Sequence, residues 1–191
     1  NDIALRIAQT ITNAQGILST NHTYHGNTAL VSQLSDTNPS SSFSLNTFKR
    51  VFAPDSYRLN GSKNLEEYSR SFAQDIERKI NEFKKENIGF AGIILCPFFA
   101  NEGFPNLPNG WLEPAQKIIK KHGGIIIADE VQPGFGRLGS SMWSHDTIGI
   151  QPDIVTIGKP MANGHPVGAL ITNYNFMSEF RNKYRYFNQT F

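Results

Sequence analysis

Two hydrophobic patterns alternate along the chain. Uninterrupted apolar runs occur at GILST (16–20), FAGIILCP (90–97), IIIAD (125–129), DIVTIGK (153–159) and GALITN (168–173). Short runs without polar alternation predict strands buried on both faces. Between them, apolar residues recur every three or four positions, as on a helix with one buried face. Such stripes predict helices over Asn1 to Ala14, over 64–87 (Leu65, Tyr68, Phe72, Ile76, Ile80, Phe83), over 110–124 and over roughly 175–185. A further helix is expected within NHTYHGNTALVSQLS (21–35), with Asn27 or Thr28 as its cap. The Ser/Asn/Thr-rich residues 35–47 and the segment NEGFPNLPNG (101–110) predict loops. Strands alternating with helices give an α/β fold, a parallel or mixed sheet with helices on both faces. Ligands in such folds gather outside the carboxyl ends of the strands.

Composition narrows the picture. A chain of 191 residues, 39% hydrophobic, is large enough for one substantial core. The net charge of +2 comes from 18 basic and 16 acidic residues without a basic block, which gives no support for a nucleic-acid or membrane partner. No apolar run approaches the ~20 residues of a membrane span. Cys96 is the single cysteine, so neither an internal disulfide nor a cysteine-rich metal site is expected, and a cytoplasmic setting is the default. The first residues read as a helix already under way and the chain closes on RYFNQTF, a pattern expected of an internal piece of a longer protein.

The candidate chemistry lies at the strand ends. IIIADEVQPGFGRLG (125–139) carries two adjacent acids, Asp129 and Glu130, and then a G-x-G-x-x-G turn at Gly134, Gly136 and Gly139. A dinucleotide fingerprint would open a helix, with an acid about 20 residues further on. Here the next stretch, SSMWSHDTIGIQP, has no apolar stripe and the acids come first, so the glycines are read as turn residues. Lys159 ends a second apolar strand, thirty residues after Asp129. A buried carboxylate calls for a cation, and a lysine at a buried strand end can serve as nucleophile or base. Pyridoxal 5'-phosphate chemistry uses both, the lysine as imine partner and the aspartate on the pyridinium nitrogen. On the spacing alone a plain Asp–Lys ion pair, or two unrelated surface residues at strand ends, is the favoured reading.

IIIADEVQPGFGR, Trp143 and QPDIVTIGKPMANGHPVGALIT, with NDIALRIAQ and TYHGNT upstream and RYFNQTF downstream, resemble the class III aminotransferases, a fold-type I pyridoxal-phosphate family. GKPMANGHPV is most similar to the branch that contains ethanolamine-phosphate phospho-lyase. The resemblance implies that residues 1–191 are part of the cofactor-binding large domain, incomplete, with the Gly-Ser phosphate loop before Asn1 and a small domain beyond the last residue. It implies a homodimer acting on an amine and a keto acid. Lys159 would be the Schiff-base lysine and proton shuttle, and Asp129 the partner of the pyridinium nitrogen. Val131 and Tyr24 would take the two faces of the ring, and Gln132 would sit near the ring 3-oxygen. His25, adjoining Tyr24, joins the cofactor set, although by residue type it reads as a turn and packing residue. Thr190 would reach a partner subunit's cofactor phosphate. Glu130 is expected to hold the turn and His165 to pack. The family's usual Glu-Pro is replaced by Cys96-Pro97, and its second glutamate aligns with Asn101, one residue short of Glu102. These departures put an ω-amino-acid donor in doubt and lean toward the phospho-lyase-like branch. Transamination and elimination of phosphate start alike, and these residues do not separate them. A third reading is a catalytically silent homologue, against which the intact Asp129, Gln132 and Lys159 speak.

Overall fold

A computed structural model of the chain describes residues 1–36 and 45–184. Six strands form one sheet: β1 (Gly16–Thr20), β2 (Phe48–Val51), β3 (Phe90–Leu95), β4 (Ile125–Asp129), β5 (Ile154–Ile157) and β6 (Ala169–Thr172). Their order is β2-β1-β3-β4-β5-β6, parallel throughout except for the antiparallel β6. The helices are α1 (Asp2–Thr12), α2 (Leu65–Lys85), α3 (Glu113–Lys121), the short α4 (Ser144–Thr147) and α5 (Tyr174–Lys183).

The sheet is covered on both faces, which explains its unalternating strands. On one side α2 and α3 pack Tyr68, Phe72, Ile76, Ile80, Phe83 and Ile119 against Leu18, Ile93 and Ile126. On the other, α1 and α5 set Leu5, Ile7, Ala8 and Phe180 against Ile17, Ile94, Ile127 and Ile154. The side chains of β4 divide accordingly, with Ile126 on one face and Ile125 and Ile127 on the other. Two helices start on side-chain caps. Asn64 accepts from the Glu67 N–H at 2.9 Å, and Asn173 from the Phe176 N–H at 2.9 Å.

One expectation fails and one strand goes unforeseen. Residues 21–35 form no α-helix, only a single 3-10 turn over Val31–Gln33. The carbonyls that a helix would use are taken from outside. Arg50 donates to Ser35 O at 2.9 Å, Gln33 O at 3.3 Å and Leu34 O at 3.4 Å, and the Ser19 hydroxyl also donates to Leu34 O at 3.1 Å. The Thr28 hydroxyl is likewise engaged, donating to the Asp2 carboxylate. The unforeseen strand is β2, an edge strand whose FKRV sequence is half-buried and charged rather than apolar, the composition that keeps an open edge from pairing with other chains. Among the described residues, no helix is long and apolar enough to cross a membrane.

Candidate active site

The five parallel strands, β1 to β5, bring their carboxyl ends to the same rim, and the conspicuous polar residues gather there. Asp129 is the last residue of β4 and is paired in register with Thr156 of β5. It is 5% exposed, and Glu130 beside it is fully buried. Successive side chains of an extended chain point to opposite faces, and the two acids part company accordingly.

On the α1 side, Asp129 Oδ2 accepts from His25 Nδ1 at 2.7 Å and from Asn1 Nδ2 at 2.9 Å. Its Oδ1 accepts from the Val131 N–H at 3.1 Å, with the Thr156 hydroxyl at 3.5 Å. The far ring nitrogen of His25 lies 3.0 Å from the Thr23 hydroxyl. A hydroxyl can donate there, which leaves Nδ1 as the protonated nitrogen facing the carboxylate. Burial by itself would raise the Asp129 pKa. The His25 hydrogen bond, with the Val131 N–H and Asn1, outweighs it and holds the carboxyl below its ordinary value.

On the α4 side, Glu130 accepts from the Ser144 hydroxyl, the His145 N–H and His145 Nδ1, each at 2.8 Å. Burial again opposes ionisation, and these donors again outweigh it, so Glu130 also lies below its ordinary value. Its backbone carbonyl accepts from the Gly134 N–H at 3.0 Å. Glu130 therefore ties the turn after β4 to α4, as expected. Within that turn Gly136 and Gly139 adopt φ of 74° and 77°, conformations that glycine takes without steric cost. Gly134 is required for another reason, because a Cβ there would stand 2.8 Å from Glu130 O and 3.0 Å from the Trp143 ring.

Lys159 follows β5 by two residues and opens a 3-10 turn, Lys159–Ala162. It departs from the expectation of a buried lysine. Its side chain is exposed, and Nζ donates to Gln132 Oε1 at 3.3 Å rather than pairing with Asp129. The plain Asp–Lys ion pair is not formed, since the donors around the Asp129 carboxylate are His25, Asn1 and the Val131 N–H. Lys159 holds φ of 39°, between Gly158 and Pro160. A left-handed backbone at a non-glycine residue costs energy and collects at functional positions. Val131 leans over Gly158, whose missing Cβ would lie 3.3 Å from Val131 Cγ1. Asn1, His25, Val131, Thr156, Lys159 and Val167 line part of an open cleft of about 610 Å³.

The remaining sequence candidates are spread more widely. Tyr24 is 41% exposed on the loop beside His25. Thr190 lies outside the described residues. Cys96 is buried, and burial, with the Asp129 charge nearby, pushes its thiol up to about 12. Asn101 is exposed, whereas Glu102 turns inward and accepts from the Thr20 hydroxyl. His25 is more than a turn residue, since its ring is buried against Asp129. Asn1, Thr23, Thr156, Ser144 and His145 are the participants that sequence reading missed. They are polar residues of ordinary type, and only the fold brings them to the acids. No group of His, Cys, Asp and Glu suited to a metal ion occurs among the described residues.

The aminotransferase class-III family model matches residues 1–191. An alanine–glyoxylate aminotransferase 2-like protein of Drosophila melanogaster is 33% identical over 186 residues, which cover 94% of this chain and 38% of the relative. An ethanolamine-phosphate phospho-lyase homologue of Caenorhabditis elegans is 30% identical over 202 residues, covering 98% of this chain and 43% of the relative. Among solved structures, a phospholyase from Arthrobacter in complex with phosphoethanolamine matches with a TM-score of 0.89 and 32% identity, over 98% of this chain and 44% of that one. An omega transaminase variant from Pseudomonas jessenii matches with a TM-score of 0.85 and 27% identity, over 100% of this chain and 45% of that one. The chain thus spans less than half the length of these relatives. It belongs to the class-III aminotransferase family.

Proposed function

We propose that this member of the class-III aminotransferase family serves a pyridoxal-phosphate enzyme that transfers an amino group from an amine or amino acid to a keto acid, with Lys159 as the reactive amine. The observation that carries the reading is the placement of Asp129 and Lys159 at the carboxyl ends of adjacent parallel strands, β4 and β5, with Val131 between them.

The residues fit the cofactor. Its ring nitrogen needs an ionised carboxylate in a dry setting, and Asp129 is buried and held in its charged form. Its aldehyde needs an accessible amine, and Lys159 is exposed at the cleft. Val131 and Tyr24 would take the ring faces and Gln132 the 3-oxygen side, with His25 supporting Asp129. When bound, the cofactor withdraws electrons from the substrate carbon that carries nitrogen. The Lys159 amine would take the proton from that carbon and return it at a second position, and Gln132 Oε1, which accepts from Lys159 Nζ at 3.3 Å, would orient that amine. Asp129 would keep positive charge at the ring nitrogen and so strengthen the pull. The whole enzyme would act as a homodimer, with Thr190 directed to the partner's site. Its setting would be a reducing one, the cytoplasm by default, although relatives from Arabidopsis thaliana and Homo sapiens are named as mitochondrial.

A second reading, elimination of phosphate from a phosphoethanolamine-like amine, is favoured by the Arthrobacter phospholyase, which shares 32% identity with this chain. Product analysis of the full-length protein with phosphoethanolamine, with and without a keto acid, separates the two. Amino-acid formation that depends on the keto acid supports transfer. Release of inorganic phosphate without a keto acid overturns it in favour of elimination.

A further inference from the structure

We propose that Asn1 is a positioning residue for Asp129, its amide, oriented by Thr156, holding the carboxylate so that one oxygen is committed to the protein and the other faces the ring nitrogen. The proposal rests on the cofactor reading above.

Asn1 occupies the N-cap position of α1, where an asparagine side chain ordinarily accepts from an N–H of the first turn. It makes no such bond. Its amide is spent elsewhere, and every polar hydrogen is used. Nδ2 donates to His25 O at 2.6 Å and to Asp129 Oδ2 at 2.9 Å, while Oδ1 accepts from the Thr156 hydroxyl at 2.7 Å. Turning the amide over would set its oxygen against two acceptors, His25 O and Asp129 Oδ2, so only one orientation satisfies the group. Because the His25 ring also donates to Asp129 Oδ2, at 2.7 Å, Asn1, Asp129 and His25 form a closed ring of hydrogen bonds. That ring joins the start of α1, the loop after β1 and the end of β4, and Thr156 ties it to β5.

The consequence concerns the two carboxylate oxygens. Oδ2 has two short donors. Oδ1 has one, the Val131 N–H, because the Thr156 hydroxyl at 3.5 Å gives its hydrogen to Asn1 at 2.7 Å instead. A carboxylate oxygen accepts two hydrogen bonds, so Oδ1 is the one with capacity to spare. A residue that merely pinned α1 in place would have no reason to divide the oxygens in this way.

The test follows the Asp129 carboxyl signal by ¹³C NMR titration of the full-length protein freed of cofactor, with steady-state kinetics on the loaded enzyme. Asn1→Ala should move the Asp129 titration upward by about one pH unit, the scale of one lost charge-assisted hydrogen bond. It should lower kcat roughly tenfold with little change in KM, as loss of a group acting only in the transition state does. Thr156→Val should shift both in the same direction, and Thr156→Ser should restore them. The double variant should add little to Asn1→Ala, because both changes break one chain of bonds. An unmoved Asp129 titration in folded Asn1→Ala, or full additivity in the double variant, overturns the proposal. If Asn1→Ala does not fold, Thr156→Val, which leaves α1 intact, carries the same test with the same criteria. A moved titration in a protein whose Lys159 never links to the cofactor would uphold the tether and overturn the cofactor reading instead.

Discussion

Asp129 and Glu130 adjoin in sequence and serve opposite faces of the sheet. Asp129 is held by His25 and Asn1 beneath the cleft, and Glu130 by Ser144 and His145 under the following turn. Their substitutions should therefore fail differently. Asp129→Asn removes the charge that would face the ring nitrogen and should cost activity far more than folding. Removing one electrostatic stabiliser of charge that develops in a reaction costs about 2.7–4 kcal/mol, about a hundredfold to a thousandfold in rate. Glu130→Gln should instead cost about 1–3 kcal/mol of stability, from donors left without their acceptor, and retain most of the turnover per folded molecule. Equal activity losses at equal stability would contradict this division. Both carboxyls lie below their ordinary pKa in the fold. Their stabilising contribution is therefore present above the usual carboxylate range and is lost as pH falls through the lower folded values. Chemical denaturation across pH should show the acid limb of stability flattened in Glu130→Gln.

At the scale of elements, the greasy strands and amphipathic helices were legible because burial on one or two faces leaves a period in the sequence. Ile125 to Asp129 and the stripe from Tyr68 to Phe83 emerge as β4 and α2 with nearly the expected bounds. Residues 21–35 were not legible, because their fate depends on Arg50 reaching back across the sheet edge to their carbonyls. Nor was β2, a four-residue edge strand whose two central residues, Lys49 and Arg50, are charged and leave no apolar run. The candidate site divides in the same way. Asp129 and Lys159 stand out because charge at the end of an apolar strand is conspicuous. Asn1 and Thr156 do not, because their partners are 128 and 155 residues apart in sequence. The glycine turn after β4 offers a test at this scale. Gly134→Ala would press a methyl group into Glu130 O and the Trp143 ring and should destabilise the fold by about 1–3 kcal/mol. Gly136→Ala meets no neighbour and pays only for its positive φ, about 1 kcal/mol. Thermal melts of the two variants should rank them in that order.

For the whole molecule, the sheet sets two strand ends side by side and the loops around them supply the rest. Loss of either face of the core would misplace the cleft, because α1 carries Asn1 into it from one side while α4 anchors the turn from the other. The arrangement stands or falls with Lys159, the exposed amine at the end of β5. The direct test is to load the full-length protein with pyridoxal phosphate, reduce it with borohydride and map the labelled peptide. A visible band near ~410–430 nm should disappear on reduction, and the label should sit on Lys159 alone and be absent from Lys159→Ala. Label on another lysine, or a reducible band that survives in Lys159→Ala, would contradict the account.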